Sequence, residues 1–440
     1  MRLSWRDLGT PRADRAAGKP VELTGFPLSV LPGGSACHFL MMAEPGCCGG
    51  CVPDNPLAVV EVLADEPLKL GTGPLRLGGT WQVSDDPGGW RYQLHAAEVK
   101  AGITRRSVMA ASSLFCLPAT AMAQATDGMA ADAHSHAGNL IRASYGQSLL
   151  DVAGSMRKGG MSVICLAIVA DSPIIIVSSG RNRPGRNPKP GELYDFSKVQ
   201  FGKLHELARG QSMPIIKTGA ELRAARSTQP SVIVTSEGGD WLEGKIERLD
   251  EAYQRWQLRQ LQLTHYRPNE LGDIQTEPAV HNGLTDFGVE VIRRCNQLGI
   301  VVDVAHGTFE LVKRAVATTT KPLVLSHTNR NDRPTPWTRS ITTDHARAIA
   351  SVRGVIGVWP VTQAATVQSY ADSIARMVDV VGVDCVGIGT DQMGLVGPSS
   401  MPSYADLPQL AAALSSRFKP DEISKILGGN YRRVFEACIA

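Results

Sequence analysis

Seven residues of the types that hold metal ions or carry protons stand at one kind of place in this chain, the end of an apolar run. The tract "ADAHSHAGN" from Ala131 sets His134 and His136 on either side of one serine. Alternate side chains of an extended segment share a face, so the two imidazoles can reach one ion. Glu237 closes "SVIVTSE", His265 closes "LRQLQLTH", His306 closes "GIVVDVAH", His327 closes "KPLVLSH" and Asp391 closes "CVGIGTD". Neutral imidazoles with a carboxylate suit Zn²⁺. The donors outnumber what one closed four-ligand site needs, and two ions sharing Glu237 as a bridge would use them better. Such a pair, about 3.5–4 Å apart, activates a water and polarises a carbonyl. The chemistry implied is hydrolysis of an amide, ester or phosphoester.

These residues need a scaffold that brings distant strand ends together. With "MSVICLAIVA" from Met161 and "GVIGVWP" from Gly354, the runs make eight short, β-branched, continuously apolar segments, the pattern of parallel strands buried on both faces. Helical patterns separate them, among them "DFGVEVIRRCNQL" from Asp286 and "DHARAIASV" from Asp344. The pattern predicts a (β/α)₈ barrel, in which the carboxyl ends of all strands converge on one mouth. A doubly wound open sheet is the alternative, and the regular alternation favours closure. Any one of the histidines would pass as a hydrogen-bonded core residue; seven ligand-type residues at corresponding strand ends would not. His38, His95, His205 and His345 read as structural or solvent-facing, as does His281 unless it lines the mouth.

The chain has 440 residues, 43% of them hydrophobic and 20% charged, with a net charge of +3. That is enough for a large core and more than one domain, and it gives no warrant for a nucleic-acid partner. Nine cysteines form no disulfide framework. Cys165 and Cys385 sit in apolar runs and read as buried small hydrophobes. "TRRSVMAASSLFCLPATAMAQA" from Thr104 has the layout of a secretory signal, and Arg105–Arg106 is the pair of a twin-arginine export signal. The run is too short and too rich in Ser and Ala to span a bilayer. The division read here is a small β-rich domain over 1–103, a signal-like segment or linker over 104–128, and a metal-dependent hydrolase barrel over 129–440. In the first domain "AVVEVLA", "LRLGGTWQV" and "WRYQLHAAEV" read as strands. "CCGGC" spaces Cys48 and Cys51 for a redox or metal pair that Cys37 and His38 could complete.

In order, the barrel segments resemble the membrane (renal) dipeptidase family of zinc-dependent barrel hydrolases, over residues 129–438. "TSEGG" resembles the strand of the bridging glutamate, Glu237. "LQLTH" resembles that of a substrate-contacting histidine, His265. "GLTDFGVEVIRRCNQLGIVVDVAH" is the most specific stretch and ends in the ligand His306. "PLVLSH" yields the ligand His327, "VGIGTD" the proton carrier Asp391, and "ILGGNYRRVFE" from Ile426 the closing helix. The resemblance implies a dipeptidase in which His134, His136 and Glu237 hold one zinc, and Glu237, His306 and His327 the other. A bridging hydroxide would attack the scissile carbonyl while His265 donates to the oxyanion. Asp391 would move the proton without primary coordination. "WTRSITTD" places Arg339 where the family grips the substrate carboxylate, with Arg330 and Arg333 as rivals. The N-terminal segment resembles an uncharacterised small bacterial domain, a likeness that brings no activity.

The family carries His-x-Asp on its first strand, and this chain has His134-x-His136. That pattern is similar to the broader amidohydrolase group and removes one negative charge from the site. It keeps a second reading open, a metal-dependent amidohydrolase acting on a lactam, lactone or D-amino acid derivative. The partner expected is a small dipeptide-like molecule, with a homodimer left open. Periplasmic export is expected if the twin-arginine segment is used, and a cytoplasmic protein otherwise.

Overall fold

The computed structural model describes residues 1–28, 35–43, 59–69, 74–83, 91–99, 129–138, 151–178, 181–333, 337–362, 365–394 and 399–439. The signal-like segment with Arg105 and Arg106, and Cys47, Cys48, Cys51 and Cys116, lie outside them, as do the side chains of Cys37 and His38. The chain divides into two compact units.

The first holds five strands, β1 (Pro20–Leu28), β2 (Ser35–Met42), β3 (Val59–Lys69), β4 (Leu75–Val83) and β5 (Tyr92–Val99). They close in the order β1-β2-β3-β5-β4, antiparallel except between β3 and β5. Closure removes the edges that an open five-stranded sheet would expose. Leu23, Met41, Val62, Leu77, Trp81, Tyr92 and Leu94 fill the interior. The alternation of β3 to β5 is legible in the sequence. β1 carries Pro20, Gly25 and Pro27, which obscure its strand pattern, and neither it nor β2 is among the strands expected from the sequence.

The second unit is the predicted barrel. Its eight parallel strands are β6 (Ala131–Ser135), β7 (Val163–Val169), β10 (Ser231–Glu237), β11 (Leu258–Gln262), β12 (Val301–Asp303), β13 (Val324–Thr328), β14 (Val355–Val358) and β15 (Val386–Ile388). They follow one another in chain order, and β15 pairs with β6 to close the ring. β8 (Ile175–Ser178) and β9 (Arg181–Pro184) form a separate two-stranded sheet. The eight barrel strands close on themselves and leave no open edge. The continuous apolar runs are explained by burial on both faces. Inner residues such as Ala133, Cys165, Ile233, Val301, Val324 and Val355 cluster with Tyr431, Val434 and Phe435 of the last helix, Asn430–Ile439. Cys165 is buried as expected, whereas Cys385 is half-buried in a 3₁₀ turn before β15. Among the described residues no helix is long and apolar enough to cross a membrane.

Local signals set the helices where they are. The helix Asp286–Leu298 starts at Thr285, whose hydroxyl accepts from Gly288 N, and stops at Gly299 in a left-handed conformation (φ 79°). Strand ends are shaped differently. β6 and β13 each carry an extra residue near the mouth, between Asp132 and Ser135 and between Leu325 and Thr328, whereas β10 keeps unbroken register with β7 as far as Glu237. Such bulges re-aim side chains, here those of His134 and His327.

The bulge in β13 needs room. A Cβ at Gly389 would lie 1.7 Å from the Ser326 carbonyl oxygen, and one at Gly357 1.8 Å from it. Both neighbours are backbone, which cannot step aside without moving a strand. Gly389→Ala is therefore expected to destabilise the barrel by more than about 3 kcal/mol, the upper range for overpacking. Thermal melts of the full chain check this, and an unchanged Tm would show that the bulge is not tightly held.

Candidate metal centre

Glu237, at the end of β10, is the hub. His136 Nε2 lies 3.1 Å from its Oε2, and His306 Nε2 3.1 Å from its Oε1. His134 and His327 Nε2 are each 3.5 Å from Oε1, and His265 Nε2 is 3.3 Å from Oε2. All six residues are buried. The imidazoles also meet in pairs, His134 with His136 and His306 with His327, both at Nε2···Nε2 3.1 Å.

The donors fit zinc. Bonds of about 2.0–2.1 Å in a tetrahedron put neighbouring donors about 3.3–3.4 Å apart, close to the spacings here. Four imidazoles converge on Glu237: His134, His306 and His327 face its Oε1, and His136 its Oε2. Asp391 Oδ1 stands 3.4 Å from His136 Nε2, and among the described residues His134, His136 and Asp391 form one potential ligand cluster. Burial holds His134 down at about 3, and His306 and His327 well below the usual histidine range, so these three are neutral and free to coordinate. Glu237 lies well below the carboxylate range: burial opposes its charge, but His265 and His134 outweigh it. The far nitrogens are anchored, His136 Nδ1 to the Ala167 carbonyl at 3.1 Å and His327 Nδ1 to Ser326 Oγ at 2.9 Å.

Four site residues, His136, His265, His306 and Asp391, lie beyond their strands. His306 and Asp391 follow β12 and β15 by three residues, in left-handed backbone (φ 68° and 49°). Non-glycine residues seldom adopt that conformation, and here it accompanies two side chains placed at the centre. His265, expected to end a strand, lies three residues past β11. Its Nδ1 meets Asp171 Oδ1 at 2.7 Å, and Asp171 Oδ2 accepts from Tyr266 N at 2.9 Å. Burial pulls the His265 pKa down, but Asp171 and Glu237 outweigh it and raise it to about 9.

Asp171 is absent from the sequence-based set. It follows directly on the second apolar run, so strand-end position was its signal, and only tertiary contact pairs it with His265. Asp171→Asn is expected to lower kcat about 10–100-fold with bound metal and KM little changed, the scale for losing a ligand's hydrogen-bonded partner. Wild-type kcat in that variant would refute the positioning role.

Of the three candidate arginines, the structure brings Arg339 to the centre. Its Nη2 donates to His327 Nε2 at 3.1 Å and its Nη1 to Gln275 Oε1 at 3.2 Å, with the Trp359 ring 5.7 Å away. Arg330 pairs instead with Asp332, and Arg333 is exposed. Tyr266, also unforeseen, packs its ring edge-on against His306, centroids 5.1 Å apart. Of the remaining histidines, His281 is exposed, its amide held by Asp273; His205 meets the Trp256 carbonyl and His345 caps a helix.

Two buried carboxylates outside the ligand set hold the strand ends. Asp132 accepts from Thr390 N at 2.8 Å, Tyr404 OH at 2.7 Å and His134 N at 3.3 Å. Asp303 accepts from Ala305 N at 3.0 Å and Ser326 N at 3.1 Å. Burial raises each to about 6.

A closed (β/α)₈ barrel with this buried His/Glu/Asp cluster at its mouth has the layout of a metal centre. Residues 156–439 match the model of the membrane dipeptidase family (peptidase family M19), and the chain belongs to that family. The match takes in Glu237, His265, His306, His327, Arg339 and Asp391, while His134 and His136 precede it. A curated dipeptidase, tcpJ of Claviceps purpurea, is 26% identical over 225 residues, which are 48% of this chain and 52% of that protein. The chain thus spans about half the length of that relative. Among solved structures, an amidohydrolase from Pseudomonas aeruginosa superposes with TM-score 0.59 at 20% identity, covering 72% of this chain and 98% of that one. A Rhodobacter sphaeroides metallopeptidase, liganded with a phosphinate mimic of L-Ala-D-Ala, superposes with TM-score 0.60 at 22% identity, covering 70% and 99%. At these identities the likeness is one of fold.

Proposed function

We propose that the protein hydrolyses dipeptides or closely related small amides at a pair of zinc ions. The observation that carries this is a single buried carboxylate, Glu237, flanked by two imidazole pairs. His134, His136 and Glu237 would hold one ion, and Glu237, His306 and His327 the other. When bound, the ions supply Lewis acidity and a water acidified enough to act as nucleophile near neutral pH.

The chain's own residues do the rest. His265, braced by Asp171, donates a hydrogen bond toward the carbonyl oxygen as negative charge develops on it. Asp391 accepts a proton and returns it to the leaving amine. Burial and the nearby Glu237 raise its pKa, with His136 and Arg339 opposing, to about 7, which suits a group that must do both. Arg339 offers a planar fork to the substrate's free carboxylate. The His134-x-His136 pair favours the second reading, a lactam, lactone or D-amino acid derivative as substrate.

Purified protein is expected to contain about two zinc ions per chain and to hydrolyse free-acid dipeptides. Chelation should remove metal and activity together, and zinc should restore both. A metal-free preparation with full activity would overturn the proposal. Turnover of cyclic amides or esters alone would select the second reading.

A further inference from the structure

We infer that Trp359 is a second donor to the substrate's free carboxylate, its indole N–H meeting one oxygen while Arg339 holds the other; this rests on the dipeptide reading above, with Arg339 as the carboxylate's partner. The first argument is position. Every other barrel strand brings a metal donor, Asp171, His265 or Asp391 to the mouth. β14 brings none, and the first side chain past it is Trp359. Its ring centroid lies 6.0 Å from that of His327 and 5.7 Å from the Arg339 guanidinium carbon, and the residue is half-buried.

The second argument is an unmet need. Trp359 Nε1 is covered and has no hydrogen-bond partner among the described residues, and the same holds for Arg339 Nε. An indole N–H withdrawn from water usually has an acceptor. Two such donors on neighbouring groups, one of them cationic, call for an anion with two oxygens, and a carboxylate is that acceptor. Arg339 Nη2 now donates to His327 Nε2. One imidazole nitrogen cannot accept that bond and hold an ion at once, so metal loading frees Nη2 as well.

The third is the way the two residues are held. The Thr328 carbonyl accepts from Trp359 N at 2.8 Å, and the Thr328 hydroxyl donates to the Arg339 carbonyl at 3.1 Å. One residue at the end of β13 thus fixes both backbones. On either side of Trp359, Tyr370 OH donates to the Val358 carbonyl at 2.8 Å and Ser400 N to the Pro360 carbonyl at 2.7 Å.

The consequence is selectivity for a free acid. An amidated C-terminus offers these donors one oxygen and sets its own N–H groups against the rest. A site whose polar groups are left unpaired by the wrong ligand rejects it strongly.

The test reads binding rather than turnover. The ligands are a non-hydrolysable phosphinate analogue of a dipeptide and the same analogue amidated at its C-terminus. Their Kd values are measured by calorimetry on the zinc-loaded full chain, for wild type, Trp359→Phe, Arg339→Ala and the double variant, with zinc content and circular dichroism as controls. Trp359→Phe keeps an aromatic ring and removes the N–H. It should weaken the free acid about 10–100-fold, the range for a hydrogen bond to a charged group, and leave the amide nearly unchanged. In the Arg339→Ala background the same change should cost much less, because the shared carboxylate is no longer seated. If phenylalanine unsettles the mouth, replacing Trp359 by benzothienylalanine, which keeps the bicyclic shape without the N–H, decides the matter by the same Kd values. Unchanged binding of the acid, or an equal loss for acid and amide, would overturn the inference; the Arg339 reading still stands if Arg339→Ala removes the preference for the acid. A wild-type protein that binds acid and amide equally would overturn both.

Discussion

Glu237→Gln is expected to abolish turnover and release both ions at once. The Glu237 carboxylate faces both imidazole pairs, its Oε1 3.1 Å from His306 and its Oε2 3.1 Å from His136. Glutamine keeps the shape but replaces one donor oxygen by an amide nitrogen and removes the charge shared by the two ions. A ligand common to both must matter more than an outer partner, whose loss costs about 10–100-fold in metal affinity. The expected loss of activity is at least about 10³-fold, with zinc near zero per chain and an intact circular dichroism spectrum. Retention of both ions would show that Glu237 does not bridge. Retention of one would assign the ligand sets differently, with Glu237 belonging to the ion that is lost.

The second large effect concerns Arg339. The guanidinium is enclosed at the mouth, touching His327 and Gln275, and its Nε has no partner. A half-buried guanidinium whose covered Nε has no partner suits the carboxylate of a dipeptide. Removing one partner of a buried charge pair costs about 3–5 kcal/mol, or roughly 10²–10⁴-fold. Amidating the substrate's C-terminus and making Arg339→Ala are each expected to lower kcat/KM by that factor, mostly through KM if the contact is equal in the ground and transition states. The two changes remove the same interaction, so combining them should cost little more than either alone. Full additivity would place the carboxylate elsewhere. Equal rates on acid and amide would favour the lactam or lactone reading.

The sequence by itself determined the barrel and most of the donors. A parallel strand covered on both faces must be a continuous apolar run, and it must stop where the chain meets the polar mouth, so the polar residue after each run marks a place at the centre. Helix limits were legible for a related reason: Thr285 and Gly299 satisfy the backbone groups that a helix end leaves open. Five-strand closure in the first unit was only partly legible, since Pro20, Gly25 and Pro27 break the pattern of β1.

Tertiary structure decided which donors meet. Asp171 and His265 are 94 residues apart and become partners only because β7 and β11 flank β10 in the closed ring. Arg339 was one of three arginines until the loop after β13 placed it against His327, while Arg330 turned away to Asp332. Asp391 read as a proton carrier from its strand-end position. Left-handed backbone and two hydrogen bonds to the end of β6 bring its Oδ1 beside His136. Periodicity encodes which side chains face inward. Bulges, positive φ angles and the register of closure set where each inward side chain ends, and they depend on contacts between segments far apart in the chain.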